Sequence, residues 1–260
     1  MGKTFDLSGK VALVTGGNGG IGLGMAEAMA EAGASIAIWG TNADKNAAAV
    51  EKLRAHGVEA EGFVCNVADR ADVEAKMAAT LDRFGRVDGC FANAGVSGRG
   101  ARSFLDIEPE EWRRVLSVNL DGVYHTYQAV LRHMVARAEA GDPGGRLACV
   151  SSLASVSGAA RNEHYAASKG ALNAMTYALA VEFARYGVTA NAILPGWIET
   201  EMTEQTFSND KFKQAAGSRI PVRRWGAPAD FGGIAVYLMS DASAYHTGQL
   251  LQIDGGYWRF

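Results

Sequence analysis

The sequence predicts an α/β protein built on one doubly wound parallel sheet of about seven strands, with helices on both faces. Three observations predict it. Short, nearly continuous apolar runs alternate with longer helical patterns along the whole chain. The first apolar run leads into a glycine-rich turn that opens a helix. Thr15, Asn93, Ser152 and Pro195 all fall at the ends of strand-like runs. Repeated strand–helix units form parallel sheets through right-handed crossovers. Ligands on such sheets sit beyond the carboxyl ends of the strands, at the switch point.

In order, Lys10 to Thr15 reads as a strand buried on both faces. Gly16-Gly17-Asn18-Gly19-Gly20-Ile21-Gly22 follows, and Leu23 to Ala32 reads as a helix ended by Gly33. Strand, glycine loop and helix together suit a dinucleotide: glycine admits the pyrophosphate and the helix start offers free N–H groups. A plain tight turn is the alternative. Ser35 to Trp39 is the second strand and Ala43 to Ala55 a helix; Ala60 to Cys65 is a strand and Asp69 to Phe84 a helix. Val87 to Ala92 is a strand, and Pro109 to about Ala138 a long helix. Arg146 to Val150, the helix Tyr165 to Tyr186 and the strand Val188 to Leu194 follow. A variable stretch runs from Pro195 to Arg224, then a helix from Pro228 to Leu238 and a last strand from Gln249 to Ile253. No linker or repeat interrupts residues 1–260, so a single domain is expected.

The composition narrows the function. With 48% hydrophobic and 20% charged residues, the chain can bury a sizeable core. A net charge of -3 gives no electrostatic case for nucleic acid or an anionic membrane. No apolar run approaches the roughly 20 residues of a membrane span, and Met1 to Asp6 has no signal-peptide core. Cys65, Cys90 and Cys149 are far apart, lie in or beside apolar runs, and lack zinc or redox spacing. They read as reduced core residues of a cytoplasmic protein that needs no metal.

Tyr165 and Lys169, four apart, share a helix face. A serine at the end of the preceding strand can join them; Ser151 and Ser152 are equal candidates on position alone. A free phenol titrates near roughly 10, so a base near neutrality needs help of about 4 kcal/mol. A cation about 5 Å away at an effective dielectric of ~20 supplies roughly 3 kcal/mol. The bland alternative is a helix start with a stray surface lysine.

Together these residues resemble the short-chain dehydrogenase/reductase family, along the whole chain. Thr15-Gly16-x-x-x-Gly20-x-Gly22 matches its cofactor motif, and Asn93-Ala94-Gly95 its motif after the fourth strand. Ser152 precedes Tyr165 by the usual thirteen residues, and Tyr165-x-x-x-Lys169 is its active-site motif. Arg224-Trp225-Gly226-x-Pro228 and Asp254-Gly255-Gly256 match its C-terminal signatures. The resemblance implies a Rossmann-type fold and an NAD(P)(H)-dependent oxidoreductase that interconverts a secondary alcohol and a ketone. Tyr165 would exchange the proton, Ser152 would hold the substrate oxygen, Lys169 would lower the Tyr165 pKa and bind ribose, and Asn119 would hold a relay water. Cofactor contacts would come from Gly16, Asn18, Gly20, Ile21, Gly22, Gly40, Thr41, Asn42, Asn66 and Val67. Asn93, Ala94, Gly95, Pro195, Gly196, Ile198 and Thr200 would add to Tyr165 and Lys169.

The chain departs from the pattern in places that bear on its ligands. NAD-preferring relatives usually carry Asp where Gly40 stands, so no acid is there to repel a 2′-phosphate. Thr41, Asn42 and Lys45 offer weaker phosphate contacts, and the reading leans to NADP(H) over NAD(H). Asn66 replaces an Asp usually near the adenine, and an amide can both donate and accept. Gly98 to Arg102 and Glu201 to Ile220 are expected to border the substrate, with 196–220 as a substrate-loop segment. Met202, Phe207 and Phe212 in it read more as packing than as selection. A 3-oxoacyl carrier-protein reductase would want basic residues at its entrance. Tyr186, Glu139 and Asp142 do not provide them, which favours a free small alcohol or ketone. A non-catalytic nucleotide-sensing scaffold on the same fold is the rival. The helix from Tyr165 to Tyr186 is apolar around most of its girth, so one side suits a second subunit, in a tetramer or a dimer. Tyr257 to Phe260 is aromatic and suits either a pocket or a subunit contact.

Overall fold

The computed structural model describes residues 3–208 and 210–259; Met1, Gly2 and Phe260, on which sequence expectations also fell, lie outside the described residues. Seven strands form one sheet in the order β3-β2-β1-β4-β5-β6-β7, every neighbouring pair parallel. They are β1 (Val11–Thr15), β2 (Ser35–Gly40), β3 (Ala60–Val64), β4 (Gly89–Ala92), β5 (Gly145–Val150), β6 (Val188–Pro195) and β7 (Leu250–Ile253). The order reverses between β1 and β4, where Thr15 pairs with Trp39 on one side and Ala92 on the other.

Alternation along each strand feeds two cores. In β1, Leu13 enters one apolar cluster and Ala12 and Val14 the other; in β4, Cys90 and Ala92 oppose Phe91. Both faces are covered, which is why these strands read as continuous apolar runs. The helices are α1 (Gly20–Glu31), α2 (Ala43–Arg54), α3 (Arg70–Phe84), α4 (Pro109–Leu116) and α5 (Gly122–Glu139). The short α6 (Ala154–Ser157) follows, then α7 (Glu163–Phe183), α8 (Glu204–Phe207), α9 (Asp210–Gly217) and α10 (Gly232–Met239). Local chemistry sets their ends: Asp69 accepts from the N–H groups of Ala71 and Asp72, and Gly85 closes α3 at φ 74°.

Four elements differ from expectation. The helix after the glycine loop begins at Gly20, three residues early, because the loop itself forms the first turn. The long helix is α4 and α5 joined by a π-helical turn over Ser117–Asp121. The stretch after β6 is ordered, with a 3-10 turn at Glu201–Thr203 followed by α8 and α9. The last helix begins four residues late, at Gly232, behind a 3-10 turn over Pro228–Phe231. Other boundaries move by one to three residues, the usual fraying.

Candidate active site

A cavity of about 320 Å³ opens over the carboxyl ends of β1, β4, β5 and β6. Its glycine-loop side is built for an anion. Gly19 caps α1 without a side-chain acceptor, and no acid stands in the first turn. The N–H groups of that turn therefore remain available to a pyrophosphate. A Cβ on Gly22 would lie 2.3 Å from the Gly16 carbonyl oxygen, so only glycine lets the loop fold this tightly onto α1. Thr15 fixes the neighbouring strand end: its hydroxyl accepts from the N–H groups of Asn93 and Ala94 at 3.0 Å each. The Asn93 amide donates to the Thr15 and Gly16 carbonyls at 3.0 and 3.1 Å. Asn93 thus braces the loop as well as lining the cavity.

Ser152, Tyr165 and Lys169 all line the same cavity. β5 delivers the serines, and α7 carries Tyr165 and Lys169 one turn apart. The two serines separate clearly. Ser151 is buried and its hydroxyl donates to the Lys169 carbonyl at 3.0 Å, whereas the Ser152 hydroxyl accepts from the Ala154 N–H at 3.1 Å and lines the cavity with Tyr165. Lys169 is buried, and its ammonium donates to the Val150 carbonyl at 2.7 Å. Burial brings Lys169 down to about 8. The ammonium lies 5.6 Å from the centre of the Tyr165 ring. Burial raises the Tyr165 phenol, and the neighbouring Ser152 hydroxyl offsets this in part.

Asn119 sits inside the π-helical turn, fully buried. Its amide donates to the Val96 carbonyl at 2.9 Å and to Ser168 Oγ at 3.2 Å, and its Oδ1 accepts from Val96 N–H at 2.8 Å. Both amide hydrogens are spent. A water held by Asn119 would have to use its main-chain oxygen or the remaining Oδ1 lone pair. π-turns of this kind recur where a side chain must be re-aimed.

Of the expected cofactor residues, Gly16, Asn18, Gly20, Ile21, Asn93, Ala94, Gly95, Pro195, Gly196, Ile198 and Thr200 line the cavity. Gly22, Gly40, Thr41, Asn42, Asn66 and Val67 do not, nor does Asn119, expected as a catalytic residue. Gly40 is buried behind an Asn18–Asn46 hydrogen bond of 2.7 Å. Asn42 caps α2 by accepting from Lys45 N–H, Asn66 turns the chain into α3, and Val67 packs in the core against Gly122. Gly19 of the glycine loop lines the cavity as well. Ser151, Glu201 and Thr203, outside the expected cofactor set, line it too, and Lys45, weighed only as a weaker phosphate contact, joins them. Their places depend on how distant segments meet, and no local motif marks them.

The stretch after β6 is fastened by aromatic packing. Trp197 meets Phe212 at 4.7 Å and Phe207 and Tyr257 at 6.5 Å, and Phe207 meets Trp225 at 4.7 Å. Phe207 and Phe212 therefore pack, while Met202 lines the cavity half-exposed. The Gly98 to Arg102 loop borders a different hollow, with Glu111, Arg114 and His164. Among the described residues no helix is long and apolar enough to cross a membrane.

Comparison with known proteins agrees with this geometry. A family model described as enoyl-(acyl carrier protein) reductase matches residues 16–258. The 5-keto-D-gluconate 5-reductase of Escherichia coli (strain K12) is 36% identical over 256 residues, 98% of each chain. The 3-oxoacyl-(acyl-carrier-protein) reductase of Chlamydia pneumoniae is 35% identical over 252 residues, 97% of this chain and 98% of that one. Among solved structures, a gluconate 5-dehydrogenase from Burkholderia cenocepacia J2315 in complex with NADP and tartrate superposes with a TM-score of 0.92 at 37% identity, covering 99% of this chain and 98% of that one. This chain belongs to the short-chain dehydrogenase/reductase family and is an NAD(P)(H)-dependent oxidoreductase interconverting alcohols and ketones.

Proposed function

We propose that the protein reduces a small polyhydroxylated ketone, or oxidises the matching secondary alcohol, with Tyr165 as the proton-transferring group. The observation that carries this reading is the meeting of Ser152, Tyr165 and Lys169 with the glycine loop in one cavity. A bound nicotinamide supplies or accepts the hydride. Ser152 donates to the ketone oxygen and orients it. Tyr165, held protonated by burial, gives its phenolic proton to that oxygen as the alcohol forms. In the reverse direction the phenolate takes the hydroxyl proton. Lys169, bonded to Val150, stands beside the phenol and presents its charge to ribose hydroxyls. Asn119 acts by positioning, holding the Val96 segment against α7.

A sugar-acid-like substrate is supported by the relatives named for gluconate chemistry. Carrier-bound 3-oxoacyl chains are the second reading, favoured by the Chlamydia pneumoniae relative. NADP(H) is the favoured cofactor, because NADP stands in similar structures and no acid stands at the end of β2, where the residue is Gly40. Residues 1–260 act as one unit, with 196–220 covering the substrate. Half-exposed Tyr124 and Tyr177 and exposed Val181, on α5 and α7, favour a homo-oligomer, a tetramer or a dimer. Three buried free thiols fit a reducing cytoplasm.

The test is Tyr165→Phe with hexonate, polyol and carrier-bound substrates. Turnover falls by about a thousandfold or more, while NADPH binding, followed by nicotinamide fluorescence, is retained. Undiminished turnover would remove Tyr165 from proton transfer, and preference for carrier-bound chains would favour the second reading.

A further inference from the structure

The end of β2 is where an acid normally reads the ribose 2′-OH of a dinucleotide, about twenty residues after the glycine turn. Gly40 stands twenty residues after Gly20. A Cβ there would lie 2.3 Å from Asn18 Nδ2 and 2.5 Å from Asn46 Oδ1, so any side chain would have to displace the two amides that close the position. Asn46 is itself buried and donates to the carbonyls of Gly40 and Phe63 at 3.0 and 3.1 Å, which fixes the closure.

The charge at this end of the cavity comes from elsewhere. Lys45, in the first turn of α2, and Glu201, in the 3-10 turn after β6, both line the cavity and bridge it. Lys45 Nζ reaches the two Glu201 carboxylate oxygens at 2.8 and 2.6 Å. Lys169 is the other charged side chain in the lining, and it is committed to Val150 beside Tyr165. A ribose phosphate arriving near α2 therefore meets one cation already neutralised by one carboxylate. The Lys45 and Glu201 side chains are 49% and 81% exposed, so water screens the bridge and it is displaceable.

We propose that Glu201 is a specificity-determining residue for the cofactor: it competes with the 2′-phosphate for Lys45 and so restrains the preference for NADP(H) over NAD(H). The 2′-phosphate must take over the ammonium and push a like charge aside, a cost that a 2′-hydroxyl does not meet. The inference rests on the proposed seating of the dinucleotide in this cavity.

The test is direct titration of the protein with NADPH and NADH at low ionic strength, by nicotinamide fluorescence, for four forms: wild type, Glu201→Gln, Lys45→Met and the double variant. Glu201→Gln tightens NADPH by about tenfold, about 1.4 kcal/mol, and moves NADH by less than about twofold. Lys45→Met weakens NADPH by a similar factor and spares NADH. In the Lys45→Met background, Glu201→Gln loses most of its effect. An unchanged ratio of the two affinities in Glu201→Gln, or an equal shift for both nucleotides, overturns the inference while leaving the cavity reading intact. Failure of the wild type to bind either nucleotide overturns both.

Discussion

At the amino ends of the strands, just before β4, Asp88 is nearly buried and fully engaged. It accepts three bonds from the Arg86 guanidinium at 2.6 to 3.0 Å, an ion pair from Arg137 at 3.1 Å and the Val11 N–H at 2.9 Å. Asp142 then takes Arg137 at 2.9 Å and Arg86 at 3.4 Å. At the carboxyl ends, Lys169 is just as buried, but its ammonium faces a carbonyl 2.7 Å away where Asp88 has two guanidinium groups. One end neutralises its charge; the other keeps a desolvated one beside the Tyr165 phenol. A buried charge is tolerated in both places only because polar atoms surround it, but only the second arrangement leaves a titratable group poised near neutrality.

The contrast breaks first at the amino end. Asp88→Ala leaves Arg86 and Arg137 facing Asp142 alone and strips the Val11 N–H of its acceptor. Losing one partner of a nearly buried pair costs about 3 to 5 kcal/mol, read as a lower midpoint in urea unfolding. NADPH affinity and the KM of the folded fraction stay within about twofold, because the network is at the far end of the sheet from the cavity. A change in KM larger than the change in stability would mean that the two ends are coupled.

Sequence legibility follows the same division. The apolar runs of β1, β4 and β5 are local, so the sheet could be read from them. The four-residue spacing of Tyr165 and Lys169 is local too, and it survives as one turn of α7. What was not legible joins residues far apart. Lys45 and Glu201 are separated by 156 positions and Asn18 and Asn46 by 28. The π-helical turn at Ser117–Asp121 escaped because five residues are too few to distinguish its wider winding from an ordinary helix. It forms where Asn119 turns inward to grip Val96, a contact no helical periodicity encodes.

Within the carboxyl end the two adjacent serines sharpen the comparison. Ser152→Ala removes the hydroxyl that lines the cavity beside Tyr165, and turnover falls about a hundredfold, about 2.7 kcal/mol, with stability changed by under about 1 kcal/mol. Ser151→Ala instead frees the Lys169 carbonyl in a buried place, costing about 1 kcal/mol of stability while kcat falls less than tenfold. Steady-state kinetics and urea unfolding on both variants check this. If Ser151→Ala were the slower enzyme, the assignment of the substrate-binding hydroxyl would be reversed.

A last, pH-dependent effect comes from the poised lysine itself. Burial pushes Lys169 down to about 8 in the folded protein, from the ordinary lysine value of 10.5. Below pH 8 both states carry the proton, and the folded state bears the full cost of the buried charge. Between 8 and 10.5 the unfolded chain binds more protons than the folded one, so this residue's contribution to stability rises with pH. The raised Tyr165 phenol works the other way above about pH 10, so the clean window is pH 8 to 10. Across it, Lys169 adds about 2 kcal/mol, and Lys169→Met has no such rise. Urea unfolding of both proteins at pH 7, 8, 9 and 10 isolates the difference. Parallel curves would mean that Lys169 is not paying a burial cost, and that the carboxyl end neutralises its charge as completely as the amino end does.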